Sequence, residues 1–581
     1  MDKLTLSGGK DMNPNLIGEQ IKAFFDRIFT KQRDRDFKIK LTMSLIFAVL
    51  TAAIGFYVFL PPINLRAQSF WTFVLAIAIA AALPFFSPRA YEKKGKKYVK
   101  VPWFRANLTA FAIIAIPVSV LLIGGMISST LFNARAYAAV IQVKESNFSE
   151  DLPETTEVTN IALMDTESAK MLGNRTLGSL SHVVSQYTVS NEYTQINYKY
   201  TPKKVANLEY DGFFKWIGNR EKGVPGLVLV DPVNSGAEYM ELSTPMHYVE
   251  SGYFGDDLMR KLRFDYPTKI FDSSSISFEL DDAGNPYYIV SCYEPRVMLF
   301  GAYDVSEVII FNPCDGSSGI YSIGDVPAWV DVVYDGYMAS DKYNWHGTLS
   351  GGFINSIIGN VGCKMATDDF GYVVLGDDVW YFTGVTSAVS NDKSNIGFIL
   401  TNARTGEYKF YPVIGAEEHS AMAAAEGEVQ EKGYVASFPS LINVSGQATY
   451  IMVLKDAAGL VKLYALVNVE NYSIVATGAT QADAMSSYKK LLRQNDIQIG
   501  DGTKSVEITV DDVRIAMVSD VATVYITAEN GDVYKGYLEA DEALILIRKG
   551  QRLKISYVSG EIERIFVISE WEFIRDEIFE E

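Results

Sequence analysis

The chain has 581 residues, a formal net charge of −18 and 48% apolar residues, with 3 Cys and 4 His. So few cysteines exclude a disulfide-built scaffold, and the acidic balance excludes the broad basic face that nucleic-acid binding requires. The charge is unevenly spread: residues 1–131 hold 17 Lys and Arg against 7 Asp and Glu, and the remaining 450 hold 35 against 63.

Residues 1–40 form a basic segment. Within it, 14–30 set Leu16, Ile17, Ile21, Phe24, Phe25, Ile28 and Phe29 at helical spacing behind Pro14. This predicts an amphipathic helix that lies along a membrane surface or packs on a partner. Three stretches follow, 41–60, 69–87 and 106–132, each without a charged residue. A bilayer core takes about 20 apolar residues in a helix, so 41–132 reads as a three-helix anchor in the lipid bilayer. The first stretch is too long for a cleaved signal and has some 40 residues before it. The loop 88–105 carries seven basic residues and one acid, Glu92, whereas 61–68 carries only Arg66. Basic loops stay inside, which predicts a plasma-membrane protein with a cytoplasmic N-terminus and an extracytoplasmic C-terminal domain. Ion and proton pathways use ionisable groups inside the helices; none is present, so these helices read as an anchor.

Beyond the anchor, 133–159 gains acids and proline and reads as a juxtamembrane linker. Residues 160–274 alternate helical and strand patterns, a helix at 165–172 and a strand at 193–200 among them, and form a first α/β part. From 275 to 415 the chain is β-rich, its short runs closed by Asx and Gly turns such as Asn312 to Gly316 and Asn402 to Gly406. None of these turns has calcium-loop spacing. The block 416–499 opens with an Ala/Glu-rich helix, 416–432, ending at Gly433, and closes with a helix over 480–494 capped by Thr480. Residues 500–570 are a succession of strands around the turn Asn530-Gly531. They predict a small closed β-barrel of the OB or SH3 kind, followed by an acidic, helical tail at 571–581. The fold class is thus a membrane-anchored, strand-rich α+β ectodomain with a C-terminal barrel.

The order of parts in 416–478 resembles the PepSY module of exported bacterial proteins. A helix with Ala421, Ala424 and Ala425 is followed by Gly433-Tyr434, a strand at 450–455, a hairpin from Asp456 to Gly459 and a return strand at 461–468. A weaker echo lies at 285–320. The resemblance implies an extracytoplasmic interaction module associated with restraint of peptidases. In a helix-on-sheet module a free strand edge can take up an extended peptide. The expected partner-binding edge comprises Tyr450, Met452, Leu454 and Lys455, or Val461 and Leu463 on the return strand.

Catalytic chemistry is harder to find. His182, His247, His346 and His419 lack metal-ligand spacing, and no cofactor fingerprint occurs. His346, in Trp345-His346-Gly347, reads as a turn residue. The Ser-x-x-Lys pairs at Ser486/Lys489 and Ser487/Lys490 lack companion motifs. Cys292 reads as a packing residue in a strand run, and a Cys292–Cys314 bridge stays open. The acid pairs Asp368-Asp369 and Asp377-Asp378 bracket a strand at 372–375 and are the candidates for a two-carboxylate hydrolase. The leading expectation is a non-enzymatic binding or scaffolding ectodomain in a bacterial envelope, with a protein or peptide partner, no nucleic acid and no cofactor. It would regulate an envelope peptidase or complex. The alternatives are an acid-dependent hydrolase and an accessory subunit of an integral membrane complex.

Overall fold

The computed structural model describes residues 35–86, 91–94, 97–100, 103–155, 161–233, 236–388, 394–457, 459–495, 497, 504–518, 521–538, 541–559 and 565–574. The amphipathic helix expected over 14–30 lies outside them. Among the described residues, three helices are long and apolar enough to cross a membrane: Phe37–Phe59, Gln68–Phe85 and Leu108–Ile127. We label these elements α1 (Arg35–Phe59), α2 (Gln68–Ala82) and α3 (Leu108–Ile127). Gly55 admits the Phe73 ring, which a Cβ would meet at 2.8 Å. The Ser44 hydroxyl donates to the Ala81 carbonyl at 2.6 Å, so a polar group inside the bundle is satisfied. Within the basic loop, Tyr91–Lys94 pairs antiparallel with Lys97–Lys100.

The segment expected as a linker is built into the strand-rich domain that follows the three helices. It carries α4 (Thr130–Ala138), a strand Val143–Glu145 and a helical turn Phe148–Asp151. The strand pairs in parallel with Tyr408–Tyr411, and Asp151 accepts from Lys409 and from the Tyr411 hydroxyl. Buried Phe148 and Leu152 supply the driving force. The composition was polar, but two apolar anchors outweigh it.

Next come α5 (Thr166–Gly178), α6 (Phe213–Asn219) and α7 (Leu258–Asp265) around a sheet whose main strands run Tyr187–Val189, Thr201–Tyr210, Val224–Asp231 and Gly236–Met246. A four-stranded antiparallel sheet, Ile276–Leu280, Pro286–Val297, Gly301–Phe311 and Ser318–Ser322, shares its core through Tyr288, Val290, Ile309 and Phe311. The helix α8 (Gly336–Leu349) replaces the expected turn around His346. Its N-cap Asp335 accepts from the Met338 N–H at 2.9 Å.

A larger sheet, centred on Asp378–Ser387 and Ser394–Asn402, packs on the block that follows. That block contains α9 (Glu418–Glu428), the strands Ser440–Val444, Gln447–Lys455, Val461–Asn468 and Val475–Gly478, and α10 (Gln481–Gln494). Its sheet is covered on both faces. Tyr450, Met452 and Leu454 face α9 and the larger sheet, while Ile451 and Val453 face Tyr488 and Leu492 of α10. At the C-terminal end, Lys504–Val518, Val521–Ala528, Val533–Tyr537, Ile565–Phe573 and Arg552–Ser559 pair in a closed circuit around Ile508, Val524, Ile526 and Leu553. Trp571 to Phe573, expected as the start of a helical tail, belong to the strand Ile565–Phe573, and Trp571 Nε1 donates to Asp541. Residues 575–581 lie outside the described set.

The three helices and the strand-rich domain are joined by the short loop after α1 as well as by the chain after α3. Arg263 of α7, 1% exposed, donates to the carbonyls of Leu60 at 2.9 Å, Lys269 at 2.5 Å and Phe271 at 2.9 Å. The Ile63 N–H donates to the Pro267 carbonyl, Arg66 pairs with Glu294, and the Tyr303 hydroxyl donates to the Arg66 carbonyl. Ser128, just past α3, accepts the N–H groups of Leu299 and Phe300. The loop between α1 and α2 and the strand-rich domain therefore share one side of the three-helix bundle.

Candidate functional site

The strand Gln447–Lys455 has no free edge. On one side it pairs with Ser440–Val444 and with Val435–Ala436; on the other it pairs with Val461–Asn468, which in turn pairs with Val475–Gly478. Tyr450, Met452 and Leu454 are fully buried, and Leu463 packs half-buried in the same core. The expected peptide-adding edge is absent at these residues, because neighbours that contribute only a few residues each cover it. The unbroken apolar run from Tyr450 to Leu454 is the signature of a strand buried on both faces.

Lys455 and Val461 have a different setting. Val461 lines a cleft of about 680 Å³ between α5 and the hairpin that turns at Gly459, and Lys455 bonds to Ser168 of its lining. Such a volume is in the range of ligand pockets. Leu163, Met164, Met171 and Leu172 line one wall, and Val453, Leu460, Val461 and Tyr464 line the other. The local sequence explains the placement. Asp165 caps α5 by accepting the Ser168 N–H at 2.8 Å and pairs with Lys455, whose ammonium also reaches the Ser168 hydroxyl at 3.3 Å. Burial opposes the charge on Asp165, yet Lys455 and the Ser168 donors outweigh it and hold the carboxyl below its usual range. The ion pair thus fixes α5 against the strand at one end of the cleft.

At the other end, Gly459 has φ +76°, and a Cβ there would lie 2.6 Å from the Met171 methyl. The turn therefore needs glycine twice, for its backbone and for the methionine over it. Methionines adapt to varied apolar partners. The rim is polar: Arg175, Lys462 and Gln481 reach the cleft, with Lys462 paired to Asp456 at 3.2 Å. The side-chain oxygen of Gln481 is buried with no hydrogen-bond donor among the described residues. An unmet buried acceptor asks for an explanation, and an N–H from a bound ligand would satisfy it.

The candidate catalytic groups are dispersed. Asp368-Asp369 and Asp377-Asp378 stand at opposite ends of the strand Gly371–Leu375, about 13 Å of extended chain, which exceeds the spacing of carboxylates sharing one glycosidic bond. Asp378 is held by Arg404 and Asn402, and Asp377 accepts from Asn197 at 2.9 Å. Asp369 lies 3.9 Å from His419 on a half-exposed surface. His346 Nδ1 is 2.9 Å from the Ala138 carbonyl, a helix-to-helix contact, and His247 Nδ1 is 3.3 Å from the Arg220 carbonyl. All three cysteines are free thiols, so the Cys292–Cys314 bridge is not formed. Burial pushes the Cys292 thiol up to about 12, which removes its nucleophilic form at neutral pH. The Ser-x-x-Lys pairs lie along α10.

Sequence reasoning missed one titratable cluster. Glu279 is fully buried and accepts the N–H groups of Asp331 and Val332 at 2.7 and 2.9 Å. Asp331 in turn accepts the Asn197 N–H at 2.7 Å. Burial, then their mutual repulsion, raises the Glu279 carboxyl far above the carboxylate range, and burial does the same to Asp331. These contacts tie the loop at Asp331 to two sheets, through Glu279 on one and Asn197 on the other. Among the described residues no group of three or more His, Cys, Asp or Glu is arranged to hold a metal ion.

Comparison with known proteins returns no match, either to a family model or to a curated protein.

Proposed function

We propose that the chain is a membrane-anchored binding protein whose extracytoplasmic ectodomain holds a polypeptide segment of a partner in the cleft between α5 and the Gly459 hairpin. The observation that carries this reading is the cleft itself: a largely apolar lining that includes two methionines, beside one buried and unmet acceptor, the Gln481 oxygen. Apolar side chains of the partner fill the walls, and a main-chain N–H meets Gln481. Arg175 and Lys462 at the rim favour acidic residues flanking the bound segment. The PepSY-like block supplies one wall, so the interaction role implied by that resemblance attaches to the outer side of its hairpin and not to a strand edge. The Lys and Arg asymmetry of the loops supports a cytoplasmic N-terminus, and the closed circuit of C-terminal strands supports a small barrel of the OB or SH3 kind. With no Asp, Glu, Lys, Arg or His within 41–60, 69–87 or 106–132, the anchor serves to station this ectodomain at the membrane.

The test is co-purification of the full-length protein in mild detergent. Leu460 lines the cleft yet is half exposed, so Leu460→Asp should leave the thermal midpoint unchanged while removing the partner recovered with the wild type. Recovery of the same partner by both forms would reject the cleft as the binding site.

A further inference from the structure

From Ser350 to Cys363 the chain carries no charged residue. Its position follows from α8. Lys342, midway along that helix, pairs with Asp304 at 2.5 Å, and Leu349 at its end packs with Val297, Ala302 and Ala134 of α4. Val297 and Ala302 flank the hairpin tip whose Leu299 and Phe300 N–H groups bind Ser128, at the exit of α3. The helix α8 therefore descends towards the anchor, and the segment after it emerges at the level where α3 leaves the membrane.

That segment turns its apolar side chains outward. Ile354 is 74% exposed, Ile358 and Val361 are each 80% exposed, and Ile357 is exposed beside them. Polar groups of the segment bond to one another. The Asn355 side chain donates to the Val361 carbonyl at 3.0 Å and accepts the Val361 N–H at 3.1 Å, the Asn360 N–H donates to the Asn355 carbonyl, and the Ser356 hydroxyl donates to the Phe353 carbonyl. Gly352 and Gly362, at φ +89° and +68°, make the reversals at the two ends. Phe353 packs against the α4 cluster and fixes the base. A backbone bonded to itself under an aliphatic cap is what a low-dielectric surrounding requires, and four such side chains held in water would be a standing cost.

We infer that the tip formed by Ile354, Ile357, Ile358 and Val361 inserts into the lipid leaflet at the exit of α3, as a monotopic contact additional to the three spans. The occupant is lipid because the tip adjoins the anchor: the cluster that holds Leu349 and Phe353 also holds Ala134, Tyr137 and Ala138 of α4, which begins at Thr130 directly after α3. At the end of α1 a second observation agrees. Phe254 lines a cavity with Tyr57 and is exposed, and Phe214 of the neighbouring α6 is 83% exposed. Such contacts hold the ectodomain down on the bilayer and fix its height. This inference is independent of the cleft and of any partner in it.

The test uses the full-length protein with Cys314→Ser, in nanodiscs of phosphatidylcholine and phosphatidylglycerol that are open to reagent on both faces. A nitroxide is placed at Ile358→Cys and, as an aqueous control, at Tyr200→Cys. Power-saturation EPR then compares collisions with oxygen and with a water-soluble nickel chelate. Insertion gives at Ile358→Cys an oxygen-to-nickel ratio at least tenfold above that at Tyr200→Cys. A ratio equal to the control places the tip in water and overturns the inference. Shielding from both reagents overturns it as well, because a protein surface would then cover the tip.

Discussion

Replacing Arg263 with alanine removes the cation that ties the α1–α2 loop to the strand-rich domain. The guanidinium makes three hydrogen bonds to main-chain carbonyls and lies 3.9 Å over the Phe271 ring, while being 1% exposed. Burial lowers it only to about 10, so it stays charged at neutral pH. Losing one member of a buried, charge-assisted network costs about 3–5 kcal/mol, since the abandoned carbonyls each forfeit a strong partner. For a unit of this size that corresponds to a fall of roughly 10 °C in the thermal midpoint. The half-exposed Arg66–Glu294 pair should by contrast be worth about 1 kcal/mol or less. The assay is a thermal ramp of the full-length protein in detergent, with hydrogen exchange read on residues 60–68. Arg263→Ala should lower the midpoint and speed exchange in the loop, Arg263→Lys should fall between, and Arg66→Ala should change little. A midpoint within 2 °C of wild type for Arg263→Ala would refute the claim that this side chain clamps loop to domain.

Met452→Pro should cost about 3 kcal/mol or more, because Met452 sits opposite Ala465 in a strand paired on both sides; urea titration checks it, and an unchanged midpoint would restore the free-edge idea. Glu279 and Asp331 have carboxyls raised above their unfolded range, so their contribution is complete below about pH 4 and is lost as pH climbs through the raised values. Thermal midpoints of Glu279→Gln should therefore decline less between pH 5 and 8 than those of wild type, and parallel declines would contradict the assignment. For orientation, an impermeant thiol reagent on intact cells should label Tyr200→Cys and spare Gly95→Cys in the basic loop; the reverse pattern would invert the topology.

How much of this was legible beforehand depended on whether the signal was local. The spans are readable because twenty apolar residues in a row have no other economical use, and α10 is readable from Thr480 and the stripe Ala482, Met485, Tyr488, Leu491 and Leu492, of which Met485, Tyr488 and Leu492 are buried and Ala482 is exposed. Turns at Gly459 and Gly531 follow from the positive φ that glycine supplies there. Strand neighbours are not local. Nothing near Tyr450 announces that Ser440–Val444 covers one side of it, nor does anything near Val143 announce a partner at Tyr408. The α8 helix was hidden because its sequence, with Gly336, Gly347 and mixed polar residues, has little apolar periodicity. Of the expected binding residues, only Val461 lines the cleft, since a cleft arises where two distant elements meet and α5 contributes part of it.

The most direct measurement is site-specific photo-crosslinking in native membranes, with a benzophenone side chain in place of Met171 on the cleft wall and, separately, in place of Tyr200 on open surface. Binding of a partner segment in the cleft predicts a discrete polypeptide adduct at Met171 that is absent at Tyr200 and disappears with Leu460→Asp. The absence of any adduct at Met171, or equal adducts at both positions, would contradict it.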